Sequence, residues 1–185
     1  MSTSTLIAII VPAAVVLIAL AVGLWMYSRR RHLQEQFGPE YDRAVEDEGG
    51  RLAADRELRA REQRHDTLDI KALPAARRAQ YADEWRGVQE RFVDRPEGSV
   101  AQADELVSRL MRERGYPTNG YRKQLQDLSV EHGRTLEHYR AAHDVNVRSS
   151  GGQATTEELR GAMVHYRALF EELLSDQGNS DQGGR

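Results

Sequence analysis

An all-helical protein carried on a single membrane-spanning helix is the fold class this sequence predicts, and three observations predict it. The chain opens with an uncharged run of 22 residues, Leu6 to Tyr27. Beyond it, apolar residues recur every three or four positions, the period of a helix buried along one face. No stretch alternates apolar and polar residues as a half-buried strand does.

The first element is the apolar run itself. As a helix it would rise roughly 33 Å, enough for a hydrocarbon core of about 30 Å. Pro12 and Gly23 weaken a helix in water but are tolerated in a bilayer. Trp25 and Tyr27 stand at one end, where amphipathic rings favour the headgroup layer, and Arg29, Arg30 and Arg31 follow at once. Residues 1–5 carry no basic side chain. This asymmetry predicts an external N-terminus, a plasma-membrane location and a cytoplasmic C-terminal region. A cleaved signal peptide is the alternative. Ala19-Leu20-Ala21 resembles a cleavage site before Val22, but the basic cluster lies on the wrong side of the apolar run. Ala19 and Gly23 form a small-xxx-small pair that would permit a homo-oligomer without requiring one.

The second element is a joint. In "FGPEY", Pro39 disfavours helical geometry at Gly38 and lacks a backbone donor, yet suits the first turn of a new helix. A bend at Gly38-Pro39 is expected, flanked by Phe37 and Tyr41; a docking motif is the alternative reading of the same residues. From residue 40 to 67 the chain reads as a charged helix. Its acid-before-base pairs at i,i+4 are Asp47/Arg51, Asp55/Arg59 and Glu57/Arg61, worth about 0.3–0.5 kcal/mol each. Gly49-Gly50 offers a flexible point, and the helix serves equally as a stalk or as a packed element.

A helical bundle is expected over residues 74–175. Tyr81, Trp85, Val88 and Phe92 share one face of a helix starting near Pro74 or Ala75. Ser99 with Gln102 reads as a capping box opening a helix with Val100, Ala103, Leu106, Val107, Leu110 and Met111, stopped by Gly115 and Pro117. A shorter helix holds Tyr121, Leu125 and Leu128, and Gly133 divides it from one with Leu136, Tyr139 and His143. Thr155 with Glu158 caps the clearest helix, which carries Leu159, Met163, Tyr166, Phe170 and Leu173. The polar, glycine-rich end, 176–185, reads as a disordered tail. The organisation is thus 1–5 external, 6–27 span, 28–39 basic segment and joint, 40–67 charged helix, 74–175 bundle and 176–185 tail.

Composition narrows the function. All 26 basic and 29 acidic residues follow residue 28, leaving a net charge of −3. That balance gives no support to nucleic-acid binding, which needs a strongly basic face. With no cysteine, disulfides and thiolate metal sites are excluded. Only 27 residues after Tyr27 are Leu, Ile, Val or Phe, so the core is expected to be thin. The one cluster with metal or acid–base chemistry is Glu131, His132, Glu137, His138, His143 and Asp144. Its histidines are six and five residues apart, a spacing that does not align them on one helical face, and no HExxH, phosphate loop or nucleophile elbow occurs. The Tyr81-Trp85-Phe92 stripe reads as core before recognition groove.

The phrases "RRRHLQEQFGPEYDRAV", "WRGVQERFVDRPEGSVAQADELVSRLMRERGYP" and "ELRGAMVHYRALFEELL" resemble an uncharacterised family of actinobacterial single-pass membrane proteins, over roughly residues 25–174. That resemblance implies a folded domain and carries no activity, cofactor or site residue. The expectation is a non-enzymatic helical module without cofactor. Its partners would be the lipid bilayer and an unidentified protein at the cytoplasmic face. The alternatives are a metal-dependent enzyme built on residues 131–144 and an exported helical domain.

Overall fold

The computed structural model describes residues 3–175, with side chains from Ala14 onward. The 176–185 tail lies outside the described residues. Among these there are eight α-helices and no strand: α1 (Thr3–Phe37), α2 (Pro39–Asp47), α3 (Arg51–His65), α4 (Ala75–Arg91), α5 (Pro96–Arg114), α6 (Tyr121–His132), α7 (Leu136–Ser149) and α8 (Thr156–Ser175). The all-helical expectation holds.

The membrane-spanning expectation does not. Among the described residues, no helix is long and apolar enough to cross a membrane. The side chains of residues 6–13 lie outside the described set. The described part of the apolar run, 14–27, rises about 21 Å against the roughly 30 Å of a hydrocarbon core. It then passes into three arginines within the same helix. The single-pass topology, the plasma-membrane location and the cytoplasmic placement of the remainder are corrected on that ground.

The chain divides into two compact units, residues 1–58 and 59–185. In the first, α1 ends at Phe37 and α2 begins at Pro39 as its N1 residue, with Gly38 between them at φ +53°. A left-handed φ is costly for any side chain, so glycine belongs at that corner. Phe37 and Tyr41 are both buried. The Tyr41 hydroxyl donates to Asp55 Oδ1 at 2.9 Å, and burial followed by this bond pushes the phenol pKa up. Each of the three arginines has a protein contact. Arg29 lies over the Trp25 ring at 4.6 Å, Arg30 approaches Asp55 at 3.6 Å, and Arg31 donates to Glu35 at 2.8 Å. The expected 40–67 helix is two helices, broken at residues 48–50, where Gly49 has φ +68°.

In the second unit, α5 packs against α4, α7 and α8, and α7 packs along α8. The shared core contains Trp85, Leu106, Leu110, Tyr139, Tyr166 and Phe170, among others. The Trp85 and Phe170 rings stack at 4.7 Å with planes 19° apart. Each such ring contributes about 1.5–3 kcal/mol by leaving water, and the pair adds about 0.5–1.5 kcal/mol. A core with few aliphatic residues therefore rests on its aromatics.

Helix starts follow local chemistry in one case and not in another. At α8 the capping box forms as its residues dictate. The Thr155 backbone N–H donates to Glu158 Oε2 at 2.8 Å, and the Glu158 N–H donates to Thr155 Oγ1 at 3.3 Å. At α5 the Ser99–Gln102 box does not form. The helix starts four residues earlier with Pro96 at N1, placing Ser99 inside it, and Gln102 accepts from Arg91 instead. Proline's fixed φ favours that earlier start.

The α8 cap yields a pH prediction. Bonds from Thr155, first backbone and then side chain, together with Arg148, hold the Glu158 carboxyl down at about 2. A depressed carboxylate pKa contributes stability above the ordinary carboxylate range, and that contribution is lost as pH falls through the folded value. Urea midpoints measured between pH 5 and pH 2 should therefore fall less steeply for Glu158→Gln than for the parent. Parallel curves would show that the box contributes nothing.

Candidate functional site

The six residues of the 131–144 cluster part company in the fold. Gly133 interrupts the helix after His132, so α6 ends there and α7 starts at Leu136 on a new axis. The three histidines then face three different sets of partners. Glu137 pairs with Arg140 at 3.2 Å and Asp144 with Arg148 at 3.0 Å, ordinary pairs along a helix surface. Among the described residues, no group of three or more His, Cys, Asp or Glu could hold a metal ion.

His132 enters the most developed chemical arrangement. It is 2% exposed, and its Nδ1 lies 2.7 Å from Glu172 Oε1 on α8. Its Nε2 lies 3.1 Å from the Tyr116 hydroxyl, which donates to Glu131 Oε2 at 2.6 Å. His65 Nε2 approaches the other Glu131 oxygen at 3.7 Å, and the Arg114 guanidinium stands 5.8 Å from the Tyr116 ring centroid. The result is a connected series: Glu172, His132, Tyr116, Glu131, His65. A carboxylate that orients an imidazole, which in turn faces a hydroxyl, resembles the machinery of general acid–base catalysis. Here, though, the hydroxyl is committed to a second carboxylate, and Tyr116 is itself 2% exposed. Such a network fixes the end of α6 to α8 and to the turn after α5, a structural use of buried polar groups, with His65 Nε2 reaching Glu131 only at 3.7 Å and making no hydrogen bond.

His143 lies 3.3 Å from Asp104 Oδ1 and stacks on Tyr121 at 4.0 Å. The same Asp104 oxygen accepts from the buried Tyr166 hydroxyl at 2.7 Å. Burial first, then the Asp104 charge, pushes the pKa values of Tyr166 and Tyr139 well up, so both remain neutral donors. His138 turns outward and meets His165 of α8, Nδ1 to Nδ1 at 2.9 Å.

Grooves among the described residues of the second unit include the following two. One, of about 210 Å³, runs between α4 and α8 past Gln89, Phe92, Arg160, Met163, Val164 and Arg167. The other, of about 400 Å³, lies between α4 and α5 among charged residues including Glu84, Arg91 and Arg109. Neither is lined by a histidine. Tyr81 and Trp85 are core residues, whereas Phe92 reaches the first groove.

Sequence reasoning missed His65, Asp104, Tyr116, His165 and Glu172. None shares a short motif with its partner; only the burial implied for Tyr116 between a helix-stopping glycine and Pro117 offered a hint. Comparison with protein-family models, with curated proteins and with solved structures finds no match to this chain.

Proposed function

We propose that the chain is a non-enzymatic helical interaction module, which binds the apolar helices of another protein through the exposed apolar segment of α1. The observation that carries this reading is the exposure of that segment. From Val15 to Tyr27, the large apolar side chains remain between 47% and 69% exposed. Contiguous apolar patches beyond a few hundred Å² are rare on a finished surface and mark places that another molecule covers. The segment is apolar around its whole circumference, so a single flat contact cannot cover it; helices on several sides can. Gly23 leaves its flank open, with nothing within 4 Å of where a Cβ would stand. That space suits close approach by a neighbouring backbone. In the second unit the buried His132 is held by Glu172 and Tyr116, a structural use of its ring.

The test is a diazirine side chain at Leu20 or Leu24 in the full chain, photolysed in the producing cells and read by mass spectrometry. Adducts to a defined helix of one protein, lost when Leu17 and Leu24 are replaced by Asp, are expected. Adducts to lipid alone, or to no macromolecule, would overturn the reading.

A further inference from the structure

We propose that His138 and His165 form a binding site for a divalent transition-metal ion of the copper–nickel class, bridging α7 and α8. The site is separate from α1 and does not depend on the interaction proposed above.

The two Nδ1 atoms are 2.9 Å apart, and the rings meet nitrogen to nitrogen, with centroids 5.0 Å apart and planes 23° from parallel. Two imidazole lone pairs at that distance repel unless something positive lies between or beside them. A shared proton satisfies one nitrogen as donor and the other as acceptor. A metal ion satisfies both as acceptors. Imidazole nitrogens bind such ions at about 2.0–2.1 Å, so two of them on one ion lie about 2.9 Å apart at a right angle and about 3.4 Å apart at the tetrahedral angle. The observed separation matches the right angle. Right-angled nitrogen ligation belongs to tetragonal copper(II) and nickel(II) rather than to tetrahedral zinc.

Access fits as well. His138 is exposed and free to turn its lone pair toward an ion on the solvent side, while His165 is half-buried and held by its helix. Among the described residues, no third His, Cys, Asp or Glu completes the set, so water fills the remaining positions. This is a two-point clasp, with affinity ordered by the metal's own preference for nitrogen: copper first, then nickel, then zinc.

The experiment titrates copper(II), nickel(II) and zinc(II) into untagged full-length protein by calorimetry, with copper(II) electron paramagnetic resonance in parallel. One copper per chain is expected, with hyperfine splitting from two nitrogens. Melting should rise by about 5–10 °C at an ion concentration near a hundred times the dissociation constant. His138→Ala should weaken copper binding at least tenfold, whereas His143→Ala should leave it intact. His138 is exposed, so its variant folds; His138→Gln checks the same point with less change in volume. Equal copper isotherms for parent and His138→Ala, a zinc preference, or a one-nitrogen spectrum would each overturn the proposal and leave a proton shared between the two rings.

Discussion

Gly115→Ala is expected to destabilise the second unit by roughly 4 kcal/mol, lowering the urea midpoint by about 2 M. Gly115 stands just past α5 with φ +101°. The Tyr116 N–H donates to the Met111 carbonyl at 3.0 Å and the Gly115 N–H to the Arg112 carbonyl at 3.1 Å, the paired bonds of a left-handed helix stop. An L side chain in that conformation costs about 1–2 kcal/mol. The greater cost is contact. A Cβ on Gly115 would lie 2.3 Å from the Asp69 carbonyl oxygen and 3.0 Å from its carbon, and both atoms are backbone. The segment carrying Asp69 cannot move away freely, because the Lys71 N–H donates to the Arg114 carbonyl at 2.8 Å and Leu73 is buried in the core. Gly120→Ala separates the two costs. Its φ is +93°, yet nothing lies within 4 Å of its Cβ position, so only the backbone penalty of about 1 kcal/mol should appear. Fluorescence of Trp85 in a Trp25→Phe background reads the second unit alone, since the chain has two tryptophans. Equal losses for the two glycines would refute the steric account.

Gly115 also shows what is legible in the sequence alone. The stop at Gly115-Tyr116-Pro117 reads directly from residue types, as does the Thr155–Glu158 cap, because both act within six residues. The Tyr81, Trp85 and Val88 face is legible for the same reason: helical period and burial are local. Partner choice is not. His132 finds Glu172 forty residues on, His143 finds Asp104 thirty-nine residues back, and His138 finds His165 across twenty-seven. Each pairing joins two helices, α6 to α8, α7 to α5 and α7 to α8, and no spacing within 131–144 encodes how those helices pack. The error in the Ser99 cap was one of competition. A polar capping signal and a proline three residues upstream both proposed a start, and the proline prevailed. The misread span differs in kind. Apolar composition and rings beside arginines read as an interfacial arrangement, whereas among the described residues no helix is long and apolar enough to cross a membrane.

The second large effect is expected at the neighbouring residue. Arg114→Ala should cost about 4 kcal/mol, by the same fluorescence measurement. Arg114 is the last residue of α5 and is fully buried. Its Nη1 donates to the Leu173 carbonyl at 3.1 Å and its Nε to the Lys71 carbonyl at 3.3 Å. Leu173 is in the last turn of α8, where carbonyls lack partners within the helix and the helix dipole is negative, so a cation is favoured there. One guanidinium thus joins the end of α5 to the end of α8 and to the segment before α4. Losing it strands two carbonyls, at about 1–3 kcal/mol each, and opens a cavity; relief from holding a charge out of water offsets part of the total. Two further variants divide the effect. Lysine keeps the charge but is a point donor that cannot serve both carbonyls with a planar fork, so about half the loss should remain. Methionine keeps most of the volume and discards the charge. If methionine matches the parent, carbonyl capture returns no more than the burial of the guanidinium costs, and packing alone closes this end of the bundle. The expected order, arginine above lysine above methionine and alanine, requires the fork itself.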